Sequence, residues 1–348
     1  MRKFSILVLA LALAASWHGM SGAANAAGRL AVYNWPDYMP QELLDKFAAE
    51  HDVEVTLDSY ESNEVLLARL QSGVTGYDVA LPSDYMVRIL IEEGLLQRVR
   101  PDQMSNFSNV SPQWADVYFD PGREYSVPYL RGTTSFSVDT AEYDGDIDTL
   151  AILFAPPPEL RGRINMLEEV REVMNAGLRY LGYPRCNSDR EQLRELNDLL
   201  VSAKEHWLSI SADGPKEALV SGDAAVSQIW NGYAARARAE RPTLKYAYPR
   251  EGYTLWMDNL VVPVGAPNLE NAKLFLNFMM APENIAVAAN FARYHSGLSG
   301  VEPYLDPELL SSHELNPPAE AADNGEFARP CSQEVTRLYD RIWTNLLQ

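Results

Sequence analysis

The chain has 348 residues, of which 48 are Asp or Glu and 29 are Lys or Arg, for a formal net charge of -19. Hydrophobic residues make up 47% and aromatic residues 10%, a globular composition that excludes a disordered or fibrous chain. The length suggests two domains, and the acidity excludes a nucleic-acid partner, because phosphate contacts need a basic face.

Residues 1–26 read as a secretory signal peptide. Arg2 and Lys3 supply the charge, Ser5 to Ser16 an apolar core too short to span a membrane, and Ala24-Asn25-Ala26 a small-residue cleavage site. Cleavage removes two cations and no acid, so the mature chain stands at 27 minus 48, or -21. The product is expected to be exported, soluble and periplasmic. An oxidising compartment permits a bridge between Cys186 and Cys331, 145 positions apart, and leaves two free thiols as the alternative.

The elements follow in chain order. Leu30 to Tyr33 reads as a buried strand, Pro40 to Glu50 as a helix and Val53 to Leu57 as a strand. Asn63 to Gln71 is helical up to Gly73, Tyr77 to Leu81 is a third strand, and Met86 to Glu93 a helix ending at Gly94. This alternation predicts an α/β lobe with a mainly parallel sheet. Ligands then bind beyond the strand C-termini, at Asn34 to Met39, Ser59 to Asn63 and Pro82 to Tyr85.

The second half repeats the pattern. Val138 and Asn165 to Leu167 read as strand, Glu168 to Leu181 as helix, and Glu191 to Leu208 as a long amphipathic helix. Lys216 to Ser221 is a short helix, Ala225 to Ile229 a strand, Ala234 to Glu240 a helix and Leu244 to Ala247 a strand. Leu260 to Val264 is a strand, Leu269 to Met280 a helix, Glu314 to Arg329 a surface loop, and Ser332 to Leu347 the last helix.

No nucleotide-binding loop, metal-ligand set or catalytic triad context occurs, so no cofactor, metal or enzymatic activity is expected. The expected ligand loops instead carry aromatic and acidic residues: Trp35, Asp37 and Tyr38; Ser83 and Tyr85; Trp230; Trp256 and Asp258. Aromatic faces attract ammonium groups and pack against methylenes. Carboxylates add charge-assisted hydrogen bonds. Together they suit a polyamine, whose nitrogens stay protonated at neutral pH. Read one at a time, Trp35 and Tyr38 also suit a core, and Glu168, Glu169 and Glu172 suit the start of a helix.

At these residues the sequence resembles the spermidine/putrescine-binding proteins of bacterial ABC importers. Collinear matches carry the resemblance: Tyr33 to Pro40, Ser59 to Glu64, Tyr77 to Ser83, Asn106 to Ser108 and Ser126 to Tyr129. Arg171 to Val173, Leu181 to Tyr183, Ile229 to Gly232 and Trp256 to Asp258 extend them over residues 29–347.

The resemblance implies a two-lobed α/β clamshell with crossover hinge strands. Its lobes would be 27–133 plus 257–302, and 134–256 plus 303–348. It implies aromatic walls from Trp35, Tyr38, Trp230 and Trp256, second-loop contacts from Ser83 and Tyr85, and a further contact from Tyr294. Carboxylates would come from Glu169, Glu172 and Asp258, with Asp37 as an acid in the first loop. The partner would be a membrane ABC permease or, alternatively, a membrane signalling receptor reading spermidine or norspermidine, as in biofilm control; the protein would act as a monomer.

Four positions depart from the family pattern. Asn231 to Tyr233 lacks the Asp of putrescine-preferring members, which favours a triamine. Glu169 replaces Asp, Arg131 stands where relatives often have Trp, and Ala328 replaces the Gln of spermidine binders.

Overall fold

The computed structural model describes residues 28–73, 76–211 and 214–348; the signal-peptide reading at 1–26 lies outside them. The strands are β1 (Gly28–Asn34), β2 (Val53–Ser59), β3 (Val79–Ala80), β4 (Ser126–Asp139), β5 (Ile164–Met166) and β6 (Trp207–Ile210). They continue with β7 (Val226–Trp230), β8 (Leu244–Ala247), β9 (Tyr253–Val261), β10 (His295–Ser296) and β11 (Gly325–Phe327). Their order is β2-β1-β3-β9-β4-β7-β5-β6, with β8 and β10 on β4 and β11 on β9.

The helices of the first half form where the apolar spacing demands them. Helix Asn63–Gln71 starts at Ser62, whose side chain accepts from the Val65 amide at 3.2 Å. Helix Gln41–His51 buries Leu43, Leu44 and Phe47 against the sheet. β1 pairs in parallel with β2 and β3, so the loops after β1 and β3 emerge side by side.

Two long strands join the halves. The N-terminal end of β4 pairs with the C-terminal end of β9, and its C-terminal end pairs with β7 and β8. Arg131 and Gly132 lie opposite Met257 and Trp256, at the crossover. β4 is buried along almost its whole length. It is hard to read in the sequence, because Pro128 and Gly132 look like punctuation. The register shifts between Pro128 and Arg131, which accommodates the proline within the pairing.

Several segments differ from the sequence reading. The long helix ends at Lys204, not Leu208, and Trp207–Ile210 forms β6 beside β5. An aromatic and β-branched run gains more from sheet pairing and from the Trp207 Nε1 bond to the Leu153 carbonyl (2.7 Å) than from another helical turn. The 314–329 segment is not a plain surface loop. β11 pairs with β9, and Glu314 is buried with its carboxylate on Arg238 and the Ser312 hydroxyl. The strand placed at Leu260 begins at Tyr253 and ends at Val261. Helix Pro282–Ala292 is an addition.

Separate hydrophobic clusters fill the two halves. Leu30, Phe47, Leu81, Phe275 and Met279 centre one; Phe136, Ile164, Met174, Leu196 and Tyr339 centre another. Leu305, Leu309 and Leu315 pack into the first cluster, although they belong to the 303–348 segment. Cys186 and Cys331 are joined, with Cα atoms 5.1 Å apart, tying the chain after helix Val170–Tyr180 to the start of helix Gln333–Leu347. A Cys186→Ser/Cys331→Ser variant is expected to lose about 2–5 kcal/mol of stability. Urea unfolding monitored by circular dichroism checks this, and an unchanged midpoint contradicts it.

Candidate functional site

The loops after β1 and β3 face β9 from one side, and the start of helix Val170–Tyr180 and the end of β7 face it from the other. Trp35 is held by a bond from its Nε1 to the Leu81 carbonyl (2.8 Å) and lies 4.7 Å from the Tyr60 ring. Asp37, at φ 48, makes the left-handed turn that lets Tyr38 fold inward while Asp37 itself stays exposed. Tyr38 packs edge-on against Tyr129 (5.1 Å) and Tyr294 (5.8 Å).

Asp258 lies deep between these loops, 6% exposed. The Ser83 hydroxyl donates to its Oδ1 at 2.7 Å. Asn63 braces Ser83 twice, donating to its Oγ at 3.1 Å and accepting from its amide at 3.2 Å. A single antiparallel bridge between Ser83 and Asp258 fixes the backbones. The Tyr38 hydroxyl faces Asp258 but makes no hydrogen bond of normal geometry. Burial pushes the Asp258 carboxyl up to about 7, against the Ser83 and Tyr38 hydroxyls, while Asp84 adds repulsion.

Asp84 is a second buried acid, also pushed up to about 7 by burial. Its oxygens accept from the Met257 amide (2.9 Å) and the Tyr118 hydroxyl (2.9 Å). Asp84 therefore anchors the strand that carries Asp258.

From the second half come Glu169 and Glu172. Burial, then the charges of Glu64 and Glu172, push Glu169 up to about 8. Burial also raises Glu172, opposed by the Thr254 hydroxyl and Arg179. Trp230 lies 5.8 Å from Tyr233, and Trp256 lies 5.0 Å edge-on from Tyr294. The Trp256 Nε1 is buried without a partner. Gly132 makes room for Trp256, since a Cβ there would fall 2.5 Å from the indole.

These groups enclose a cavity of about 360 Å³. Trp35, Asp37, Tyr38, Ser83, Tyr85, Glu169, Glu172, Trp230, Trp256, Asp258 and Tyr294 all line it. Asp84, Arg171, Tyr233 and Glu217 also line it and were missed in the sequence. Asp84 and Arg171 lie inside stretches that the sequence does flag, but adjacency cannot say which way a side chain points. Ala328 is in the wall, as its position suggests. Arg131 is not in the wall. Its guanidinium lies over the Trp114 ring at 5.5 Å, and its Nε donates to the Ser296 carbonyl. Among the described residues no group of His, Cys, Asp and Glu is arranged to hold a metal, and no helix is long and apolar enough to cross a membrane.

A family model described as bacterial extracellular solute-binding protein matches residues 42–315. The spermidine/putrescine-binding periplasmic protein of Escherichia coli (strain K12) is 32% identical over 349 residues, covering 99% of each chain. The chain belongs to this family of bacterial extracellular solute-binding proteins. A putrescine/cadaverine-binding protein of Pseudomonas aeruginosa is 28% identical over 340 residues, covering 94% of this chain and 96% of the relative. The solved spermidine/putrescine ABC transporter substrate-binding protein of Streptococcus pneumoniae superposes with a TM-score of 0.80 at 28% identity, covering 92% of this chain and 99% of that one. The solute-binding fold is thus the two-lobed one, and members of the family are substrate-binding proteins of transporters, not enzymes.

Proposed function

We propose that this solute-binding protein is exported to the periplasm, captures a spermidine-like triamine between its lobes and hands it to an ABC permease. The observation that carries the reading is Asp258. It is a buried carboxylate with one hydroxyl donor, at the base of a cavity whose walls carry Trp, Tyr and further carboxylates, Glu169 and Glu172 among them. A volume of about 360 Å³ is in the range of small-molecule sites.

In this reading the methylenes lie among Trp35, Tyr38, Trp230 and Trp256, and the nitrogens pair with Asp258, Glu172 and Glu169. Asp37 stands at the mouth. Asn231 supports the preference for a triamine: it carries no charge, and its side chain is already engaged with the Thr133 amide (3.0 Å) and the Glu314 carbonyl (3.1 Å), so it offers a short diamine no ion pair. In this reading the lobes are 27–133 plus 257–302 and 134–256 plus 303–348, and Leu305, Leu309 and Leu315 of the last segment pack back into the first hydrophobic cluster. No chemistry is involved; closure removes water and strengthens each ammonium–carboxylate pair.

Isothermal titration of the unfolded and refolded, ligand-free protein with putrescine, spermidine and norspermidine tests this. The expected result is a triamine Kd near or below about 1 μM, with putrescine at least about tenfold weaker. Absence of heat with all three amines contradicts the reading, and a putrescine preference contradicts its triamine part.

A further inference from the structure

A cation sits in the wall of this cavity. Arg171 is the second residue of helix Val170–Tyr180, where a positive charge opposes the helix macrodipole. It does not escape to solvent. It is half-buried, and its guanidinium carbon lies 3.9 Å from the centroid of the Tyr85 ring, which comes from the opposite half. It forms no ion pair among the described residues, yet its charge acts on Glu169, Glu172 and Tyr85 together. A guanidinium stacked this way covers one face of the ring and contributes a cation–π contact between the halves.

We propose that Arg171 is a specificity-determining residue: a resident cation that takes the Tyr85 face and offsets one of the two glutamates beside it. The proposal rests on the polyamine reading above and refines it. Arg171 is the one Lys or Arg among the described residues lining the cavity, whose acids include Asp84, Asp258, Glu169, Glu172 and Glu217, and its charge acts on the two helix glutamates. A ligand nitrogen beside Glu169 and Glu172 therefore gains less than it would beside uncompensated glutamates, while a nitrogen on Asp258 is not opposed in this way. The margin of triamine over diamine is set by Arg171 as much as by the carboxylates.

The test is titration of putrescine and spermidine into refolded wild type, Arg171→Met and Arg171→Lys, with circular dichroism confirming the fold. Methionine keeps an unbranched apolar stem and removes the charge; lysine keeps the charge and loses the planar stack. The ratio of the two dissociation constants is the readout, because loss of the interlobe contact alone moves both ligands together. In Arg171→Met the preference for spermidine is expected to widen by about tenfold or more, the scale of one charge pair at a partly buried site. In Arg171→Lys it stays within about threefold of wild type. A ratio unchanged or narrowed in Arg171→Met, in a wild type that does bind, overturns this inference alone. A wild type that binds neither amine overturns the polyamine reading and this inference with it.

Discussion

Asp258→Ala is expected to weaken spermidine binding by more than about a hundredfold. An ammonium buried without its carboxylate typically forfeits about 3–5 kcal/mol, and each 1.4 kcal/mol is tenfold. The site leaves no substitute, since Ser83 supplies a hydroxyl only and Asp84 already accepts from Met257 and Tyr118. Ser83→Ala removes one hydrogen bond to Asp258 and should cost about 1 kcal/mol, or roughly fivefold. Calorimetry on both variants checks the order. A loss below about threefold in Asp258→Ala contradicts the assignment of this residue.

Binding is expected to tighten steeply between pH 6 and pH 8. Asp258 and Glu169 hold their protons up to about 7 and about 8, because burial disfavours their charge. A bound ammonium favours the charged form, so capture below those values expels protons. Affinity then rises with pH by up to about tenfold per unit for each proton expelled and levels off above pH 8. It declines again only as the amines lose charge, near pH 10.

The stability of the free protein runs the other way. An ordinary carboxyl loses its proton near pH 4, so between pH 4 and about 8 Asp84, Asp258 and Glu169 bind more protons folded than unfolded, and their contribution to stability falls as pH rises, while His295, held down to about 4 by burial, acts in the opposite sense below about pH 6.5. Titration at pH 6, 7 and 8 in buffers of different ionisation enthalpy measures the expelled protons directly. A Kd that is flat over this range, with no buffer dependence, contradicts the account.

Much of this site is legible in the sequence because its pieces fall at strand ends. Trp35 and Tyr38 follow β1, Ser83 follows β3 and Trp230 ends β7, and the alternation of strand and helix already directs attention there. What stays hidden is set by long-range pairing. β4 looks broken by Pro128 and Gly132, and only its partners β7, β8 and β9 make it one strand. Trp207 sits in what reads as the tail of a helix, and its place beside β5 is decided by a segment more than forty residues earlier. Charge direction is hidden in the same way. Arg131, at the crossover position where relatives often have Trp, lies over Trp114 and outside the cavity wall. Arg171 looks like an ordinary helix residue, and it faces the cavity.

The proposed site is the cavity between the lobes, holding a polyamine with one nitrogen on Asp258. A crystal structure of the refolded protein grown with spermidine tests it most directly. The expected ligand lies between Trp35 and Trp256, with a terminal nitrogen about 2.7–2.9 Å from an Asp258 oxygen. Spermidine bound elsewhere, or lying in the cavity with no nitrogen in reach of Asp258, would contradict it.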